Sequence, residues 1–286
     1  MSNQPVSVST APYDGYSLDR MLESLARVGA TYVEPAYVIG YTEGFDETAF
    51  SSACATTYAS AICRHGLRCY AVSAHMDLGR TDAVELFKNR MDFARRLGAQ
   101  VINTFAATRR RKKQFYANLE QIVRHAESLD MVIGLENQND GSDSLLSVAS
   151  DGADMLARIN SPRVGLNYAF GNTASHRPDV DPIQEAMAAL PNCVHVHVKD
   201  VRRSADGWFY TAIGQGDLDC TRILRDIAMQ AVPMSIELPL RLHRQPDAKP
   251  GRARFRVPLS DIEKIVESSL QFVRTHLKVA PRLPEP

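Results

Sequence analysis

Three segments of the chain end in side chains that can hold a metal ion or move a proton. Glu136 and Glu237 each follow an apolar run, and a third run carries His195 and His197 two positions apart, with His197 nearer its end. A buried carboxylate or imidazole is costly unless something compensates it. Taken singly, the carboxylates could pair with arginines and His197 could be a hydrogen-bonded core histidine. Together they favour one divalent-metal site formed by Glu136, His197 and Glu237.

Two carboxylates and one imidazole make an oxygen-rich ligand set. It suits Mn2+ or Mg2+, with Co2+ and Zn2+ as alternatives. Such an ion polarises a carbonyl and acidifies the neighbouring C–H, so that a carboxylate can remove the proton and form an enediolate. If Glu136 removes a proton and Glu237 returns one, or the reverse, the outcome is epimerisation or isomerisation. A leaving group β to the carbanion would give a lyase instead, by dehydration or β-elimination, and a decarboxylase is a related lyase alternative.

The elements that must position these residues are eight short strands, each followed by a helix. The predicted strands are Val6–Thr10, Tyr32–Pro35, Cys69–Ser73, Val101–Thr104, Val132–Glu136, Val164–Tyr168, Val194–Lys199 and Ser235–Leu238. The predicted helices, in the same order, are Ser17–Val28, Glu47–His65, Asp82–Leu97, Lys112–Leu129, Ser144–Ile159, Pro182–Leu190, Thr221–Met229 and Ser260–Leu277.

The strands are nearly all apolar, which is typical of strands covered on both faces. Eight such units favour an α/β chain with a single (β/α)8 TIM barrel over residues 1–280, and an open doubly wound sheet is the alternative. The proline-rich residues 281–286 are predicted to be a flexible C-terminal tail. In such a barrel the reactive residues lie at the C-terminal ends of the strands, where the three candidate ligands fall.

The chain resembles the xylose isomerase-like TIM barrel superfamily, the sugar phosphate isomerase/epimerase group that includes tagatose- and psicose-type 3-epimerases and inosose dehydratases. The resemblance covers essentially the whole chain, and its specific motifs are Gly-Leu-Glu136-Asn, His197-Val-Lys-Asp200, Gly214-Gln-Gly-Asp-Leu-Asp and Ile-Glu237. It implies a metal-dependent isomerase or epimerase for a small sugar or keto-sugar, with a related lyase as the alternative. It also implies four metal ligands, on strands five to eight, of which Glu136, His197 and Glu237 match three.

The fourth family ligand, an aspartate on strand six, falls on Ala169 in this chain. Either three side chains and water hold the ion, or Asn167 or Asn172 substitutes, or the alanine was introduced to disable the enzyme. Each case predicts weaker metal binding than a four-ligand site gives. A non-catalytic sugar-binding barrel with a decayed metal site is a further alternative.

Several other residues at predicted strand ends are candidates for the site. The resemblance implies a catalytic or substrate-contacting role for His75, which could otherwise be a loop histidine. Predicted substrate-binding residues are Glu34, Asn137, Lys199, Asp200, Tyr37 and Trp208. The alternatives are ion pairs for Glu34, Lys199 and Asp200, orientation of Glu136 by Asn137, and subunit contacts for the aromatic residues. The basic run Arg109–Lys113 could face a phosphate or carboxylate, and a solvated charge run is its more usual explanation.

Composition excludes some classes of partner. The 286 residues include 33 basic and 33 acidic side chains, so that no net charge favours nucleic acid or an anionic membrane. Neutral charge also disfavours an endonuclease IV-type enzyme, which needs a basic DNA face and a multi-zinc cluster. Five cysteines without a C-x-x-C pair, and no apolar run of about 20 residues, predict a cytoplasmic protein in a reducing compartment. A homo-oligomer is compatible with the sequence.

Overall fold

The computed structural model describes residues 4–38, 42, 45–138 and 140–278. The predicted tail at 281–286 lies outside these residues. The strands are β1 (Val6–Ser9), β2 (Tyr32–Glu34), β3 (Ala36–Val38), β4 (Arg68–Cys69), β5 (Ala71–His75), β6 (Val101–Phe105), β7 (Val132–Glu136), β8 (Val164–Ala169), β9 (Cys193–Val198), β10 (Asp200–Ser204), β11 (Gly207–Thr211), β12 (Met234–Ile236), β13 (Leu242–Arg244) and β14 (Pro250–Arg252). The helices are α1 (Leu18–Arg27), α2 (Ser52–Arg64), α3 (Ala83–Arg96), α4 (Lys112–Ser128), α5 (Ala149–Ile159), α6 (Phe170–His176), α7 (Pro182–Ala189), α8 (Cys220–Gln230) and α9 (Leu259–Lys278).

One parallel sheet runs in the order β3-β5-β6-β7-β8-β9-β12-β1-β2-β4. β2 and β3 follow each other in the chain on either side of Pro35, which has no N–H to donate to a neighbouring strand. β4 and β5 are likewise consecutive, and β2 pairs with β4 while β3 pairs with β5. Because β12 also pairs with β1, the sheet closes into a barrel of eight strand positions. The predicted (β/α)8 fold is confirmed.

The helices cover the barrel with apolar faces. In α1, Met21, Leu22 and Leu25 recur at helical spacing and are buried. Full burial of one such side chain contributes about 1.5–3 kcal/mol. Three helices are followed by glycines with positive φ, at Gly29, Gly66 and Gly98, which lets the chain turn back without strain on a Cβ.

The structure departs from the predicted elements in four places. The second helix, predicted from Glu47, begins as α2 at Ser52, after a separate 3-10 turn over Glu47–Phe50. The fifth helix begins at Ala149 instead of Ser144, because Ser144 forms a bridge with Thr108. The short helix α6 directly follows β8. A second, antiparallel sheet, in the order β10-β11-β13-β14, lies within the seventh and eighth βα connections. Its own small core contains Val201, Trp208 and Tyr210.

Within the described ranges, no helix is long and apolar enough to cross a membrane. All five cysteines are free thiols.

Candidate metal centre

The register of the barrel brings the predicted ligands to one end. Ala169 on β8 pairs with His197 on β9, and His197 pairs in turn with Ser235 on β12. Glu237 comes two residues after Ser235, and its backbone N–H donates to Val198 O at 3.0 Å. Because parallel strands end together, the side chains that close these strands share the mouth of the barrel.

Glu136, His197 and Glu237 converge around one point. His197 Nδ1 lies 2.9 Å from Glu136 Oε2 and 3.0 Å from Glu237 Oε2. All three side chains are buried, and their donor atoms lie within 4.8 Å of one another. One nitrogen and carboxylate oxygens at this spacing fit a divalent cation that prefers oxygen ligands. We call these three residues the metal centre.

Ala169 contributes no side-chain donor to the metal centre. Its backbone is engaged instead, since its N–H donates to Asn137 Oδ1 at 2.8 Å and its carbonyl accepts from Asn137 Nδ2 at 3.1 Å. Asn137 therefore fixes the end of β8 from the neighbouring strand and is fully buried. Of the four ligand positions that the sequence suggested, three carry a donor.

The two asparagines considered as substitutes face Glu136 with their amide N–H groups. Asn167 Nδ2 donates to Glu136 Oε2 at 2.9 Å, and Asn172 Nδ2 donates to Glu136 Oε1 at 2.9 Å. Asn172 Oδ1 accepts from Lys199 Nζ at 2.9 Å. In this arrangement the asparagines hold the carboxylate of Glu136 in place.

Lys199 supplies a positive charge to the same carboxylates. Its Nζ lies 3.3 Å from Glu136 Oε1 and forms an ion pair with Glu237. Burial alone would raise the pKa of Glu136, but the charges of His197 and Lys199 hold it well below its usual range. Burial would likewise lower the pKa of Lys199, and the two glutamates raise it instead. Burial would also raise the pKa of Glu237, and the same two positive charges lower it instead, so both carboxylates and the ammonium are charged.

His75, predicted from the end of the third strand, touches the metal centre. Its Nε2 lies 2.7 Å from Glu136 Oε2, and its ring stacks on Phe105 with the centroids 4.4 Å apart. The fully buried Arg90 on α3 donates from Nη1 to the carbonyls of Ala74 and His75, both at 3.0 Å. Helix α3, in the layer outside the barrel, thus supports the strand end that carries His75.

Glu34 lies behind His197 instead of beside a substrate. Its side chain is fully buried and both of its oxygens lie 3.1 Å from His197 Nε2. It does not line the cavity described below. The predicted direct contact with substrate is therefore replaced by a contact with a candidate ligand.

Asp200 and Trp208 also lie elsewhere than predicted. Asp200 is buried, and its carboxylate accepts from the backbone N–H groups of Gly214 and Gly216, each at 2.9 Å. It shapes the Gly-Gln-Gly turn that follows β11. Trp208 packs in the core of the antiparallel sheet, with Arg203 over its ring. Neither residue lines the cavity, because both serve the second sheet that the sequence did not reveal.

A cavity of about 510 Å³ opens onto the metal centre. Glu136, Glu237, Lys199 and His75 lie in its wall, and Tyr37 forms part of its aromatic side. The wall also contains charged residues that the sequence analysis missed: Asp14, Arg241 and Arg244. Arg241 and Arg244 follow Glu237 in the eighth βα connection, and that position in a barrel was the available signal.

The basic run before α4 makes surface ion pairs. Arg109 lies 3.2 Å from Asp143, and Arg111 Nη1 lies 2.6 Å from Asp77 Oδ2. These residues do not line the cavity. The solvated alternative therefore describes them better than a phosphate site does.

The sequence matches the family described as xylose isomerase-like TIM barrel over residues 22–275. The chain belongs to this family. No curated protein matches the sequence.

Solved structures similar to this xylose isomerase-like barrel include three of interest. D-allulose 3-epimerase from Methylomonas sp. in complex with D-allulose is 16% identical, with a TM-score of 0.69, 96% of this chain and 98% of that chain being covered. A probable 3-DHS dehydratase from Bacillus anthracis is 13% identical, with a TM-score of 0.69 and coverage of 94% and 98%. A xylose isomerase-like TIM barrel protein from Mycobacterium smegmatis in complex with magnesium is 17% identical, with a TM-score of 0.67 and coverage of 96% and 98%. At these identities the likeness shows the fold.

Proposed function

We propose that this chain is a divalent-cation-dependent isomerase or epimerase that moves a proton next to the carbonyl of a small sugar or keto-sugar. The observation that carries the proposal is the convergence of Glu136, His197 and Glu237 at the mouth of a closed barrel, beside a cavity of about 510 Å³. Family membership supports it, and so do the epimerases among the proteins of similar fold.

Glu136, His197 and Glu237 would hold the cation. When bound, a divalent cation such as Mn2+ or Mg2+ polarises a substrate carbonyl and stabilises negative charge on its oxygen. The cavity is large enough for a small sugar, since ligand sites commonly span about 300–1,000 Å³. Tyr37 and other aromatic residues line one side of it, where they would shield a bound sugar from water.

The chain's own groups supply the proton transfers. Glu136 and Glu237 are charged and buried, so each can remove a proton from a carbon held against it. His75 Nε2, at 2.7 Å from Glu136, can exchange a proton with that carboxylate. Lys199 Nζ lies within reach of both glutamates and can donate a hydrogen bond to a developing oxyanion.

Solvent deuterium exchange tests this proposal. The protein is stripped of metal, reloaded with Mn2+ or Mg2+, and incubated in D2O with a panel of ketoses and keto-sugars. We expect deuterium at a carbon next to a carbonyl in at least one sugar, detected by NMR, and its disappearance in Glu136→Gln and Glu237→Gln. A matched control is Glu263→Gln, which makes the same chemical change on α9, away from the cavity.

The same assay separates the alternatives. Deuterium together with an epimer or isomer supports the proposal. Loss of water or another leaving group, seen as an unsaturated product, assigns a lyase. Sugar binding by calorimetry without exchange at any carbon next to a carbonyl, with the metal present, would replace the enzyme with a binding protein.

A further inference from the structure

We infer that Glu34 is a positioning residue that keeps the proton on His197 Nε2, so that Nδ1 is the nitrogen presented to the metal centre. The inference rests on the proposed function. It concerns a residue outside the cavity that the sequence analysis had assigned to substrate.

The ring of His197 has a carboxylate partner on each side. Both oxygens of Glu34 lie 3.1 Å from Nε2, whereas Glu136 Oε2 and Glu237 Oε2 lie 2.9 and 3.0 Å from Nδ1. An ionised carboxylate can only accept a hydrogen bond, so Nε2 must carry the proton that Glu34 receives, and by the same rule Glu136 and Glu237 favour a second proton on Nδ1 while no cation is bound. A divalent cation would take the place of the Nδ1 proton and bind the lone pair there, whereas Glu34 would keep the proton on Nε2.

Glu34 is itself held rigidly. Ser73 Oγ donates to Glu34 Oε1 at 2.7 Å, and Asn103 Nδ2 donates to the same oxygen at 2.8 Å. Each of these residues is fully buried on a barrel strand. Two donors on one oxygen leave the carboxylate little freedom to turn away from the imidazole, so the orientation of the ring is fixed from below the metal centre.

A second metal ion at this point is the alternative, because Glu34, His195 and His197 also lie within 4.8 Å of one another. Both nitrogens of His195 already have protein partners. Nδ1 lies 2.9 Å from Asn167 Oδ1, and Nε2 lies 3.1 Å from Ser235 Oγ. Among the residues that the structure describes, this group is thus a hydrogen-bonded layer beneath one metal centre.

Glu34→Gln tests the inference. A glutamine presents an NH2 group where three donors converge, so it cannot accept from all of them and His197 loses its fixed proton. We expect the affinity for Mg2+, measured by isothermal titration calorimetry, to fall about 10- to 100-fold. Long-range ¹⁵N NMR of the Mg2+-loaded wild type should show His197 protonated at Nε2 alone, and the variant should show a mixture.

Glu263→Gln is the matched control. Glu263 also accepts from a serine and a cation, Ser24 Oγ and Arg27 Nη1, each at 2.8 Å. Its replacement should leave both the Mg2+ affinity and the His197 spectrum unchanged.

The outcomes separate the two proposals. A wild type that binds neither Mg2+ nor Mn2+ sinks the proposed function, and the inference with it. Binding by the wild type that Glu34→Gln leaves unchanged overturns the inference alone. If the glutamine variant does not fold, the wild-type spectrum decides, because a proton on Nδ1 of His197 in the Mg2+-loaded protein contradicts the role given to Glu34.

Discussion

The carboxylates of the metal centre already have a cation beside them, the ammonium of Lys199. Two buried carboxylates cost free energy unless positive charge compensates them, and the lysine does so when no metal is bound. A divalent cation at the proposed site would therefore share Glu136 and Glu237 with an internal competitor. With Ala169 at the fourth position, there is one carboxylate fewer to divide between the two cations.

At the residue scale we predict that Ala169→Asp strengthens cation binding at least about tenfold, measured by calorimetry with Mn2+. Ala169 pairs with His197 across β8 and β9, so an aspartate there adds a charged donor next to an existing ligand. Ala169→Asn has nearly the same shape without the charge and should give a much smaller gain. An equal gain from both variants, or none, would contradict the electrostatic argument.

Turnover of Ala169→Asp bears on the function as well. A large gain in metal-dependent deuterium exchange would identify an enzyme weakened at one ligand position. Tighter cation binding with no exchange would favour a binding protein.

At the element scale, the apolar runs of the eight barrel strands were readable because each strand is covered on both faces. The antiparallel sheet could not be predicted in this way. Residues 202–204 are exposed and polar, and they lack the apolar run that marks a strand. Its hairpin loop is Ala205-Asp206, between the paired residues Ser204 and Gly207, and the one turn signal there is the glycine, whose φ is +126°.

Part of the metal centre could be predicted from the positions of its residues in the strands. The ligands Glu136, His197 and Glu237 end strands, and strand ends meet in a barrel. The partner of each atom could not be predicted, because contacts such as Glu34 with His197 Nε2 join residues 163 positions apart. Its place at a strand end predicted that Glu34 lies at the mouth of the barrel, whereas its contacts with His197 place it beneath the metal centre.

Arg90 joins helix α3 to the end of strand β5. It donates to the backbone carbonyls of Ala74 and His75, forms an ion pair with Glu47 and lies over the ring of Phe50 at 4.9 Å. Arg90→Met keeps most of the volume but leaves two carbonyls and a carboxylate without their donor. We expect the free energy of unfolding in urea to fall by about 2–4 kcal/mol, because two buried carbonyls lose a charged donor, whereas Glu47, whose side chain is 33% exposed, can turn to water.

Arg80→Met is the control for Arg90. Arg80 pairs with Asp82 on the surface, and such pairs contribute at most about 1 kcal/mol. Comparable losses in the two variants would show that Arg90 does not tie α3 to β5 in the way that its contacts indicate.

At the scale of the whole molecule, closing the barrel buries several acids that are neutral at pH 7. Burial raises the pKa of Tyr13 to about 12 and that of Cys193 to about 12, and it raises the pKa of Cys69, Cys220 and Tyr168 as well. Above the ordinary pKa of each group the unfolded chain has lost protons that the folded chain retains. The free energy of unfolding must then fall as pH rises, because the unfolded state binds fewer protons.

Tyr13 accounts for one measurable part of this fall in the free energy of unfolding at high pH. Its contribution is complete below pH 10, the ordinary pKa, and is lost as the pH rises towards about 12. Two pKa units correspond to about 2.7 kcal/mol at most. In urea unfolding between pH 10 and 12, Tyr13→Phe should therefore lose about 2 kcal/mol less stability than the wild type, while being about 1 kcal/mol less stable at pH 7 because the contact with Ser24 is gone. Ser24→Ala separates the two effects, since it removes the same contact and leaves the phenol ionisable. It should be at least as destabilising as Tyr13→Phe at pH 7, because it also removes the hydrogen bond to Glu263, and it should keep at least the wild-type decline in alkali. Identical declines in both variants would mean that the ionisation of Tyr13 is not coupled to folding.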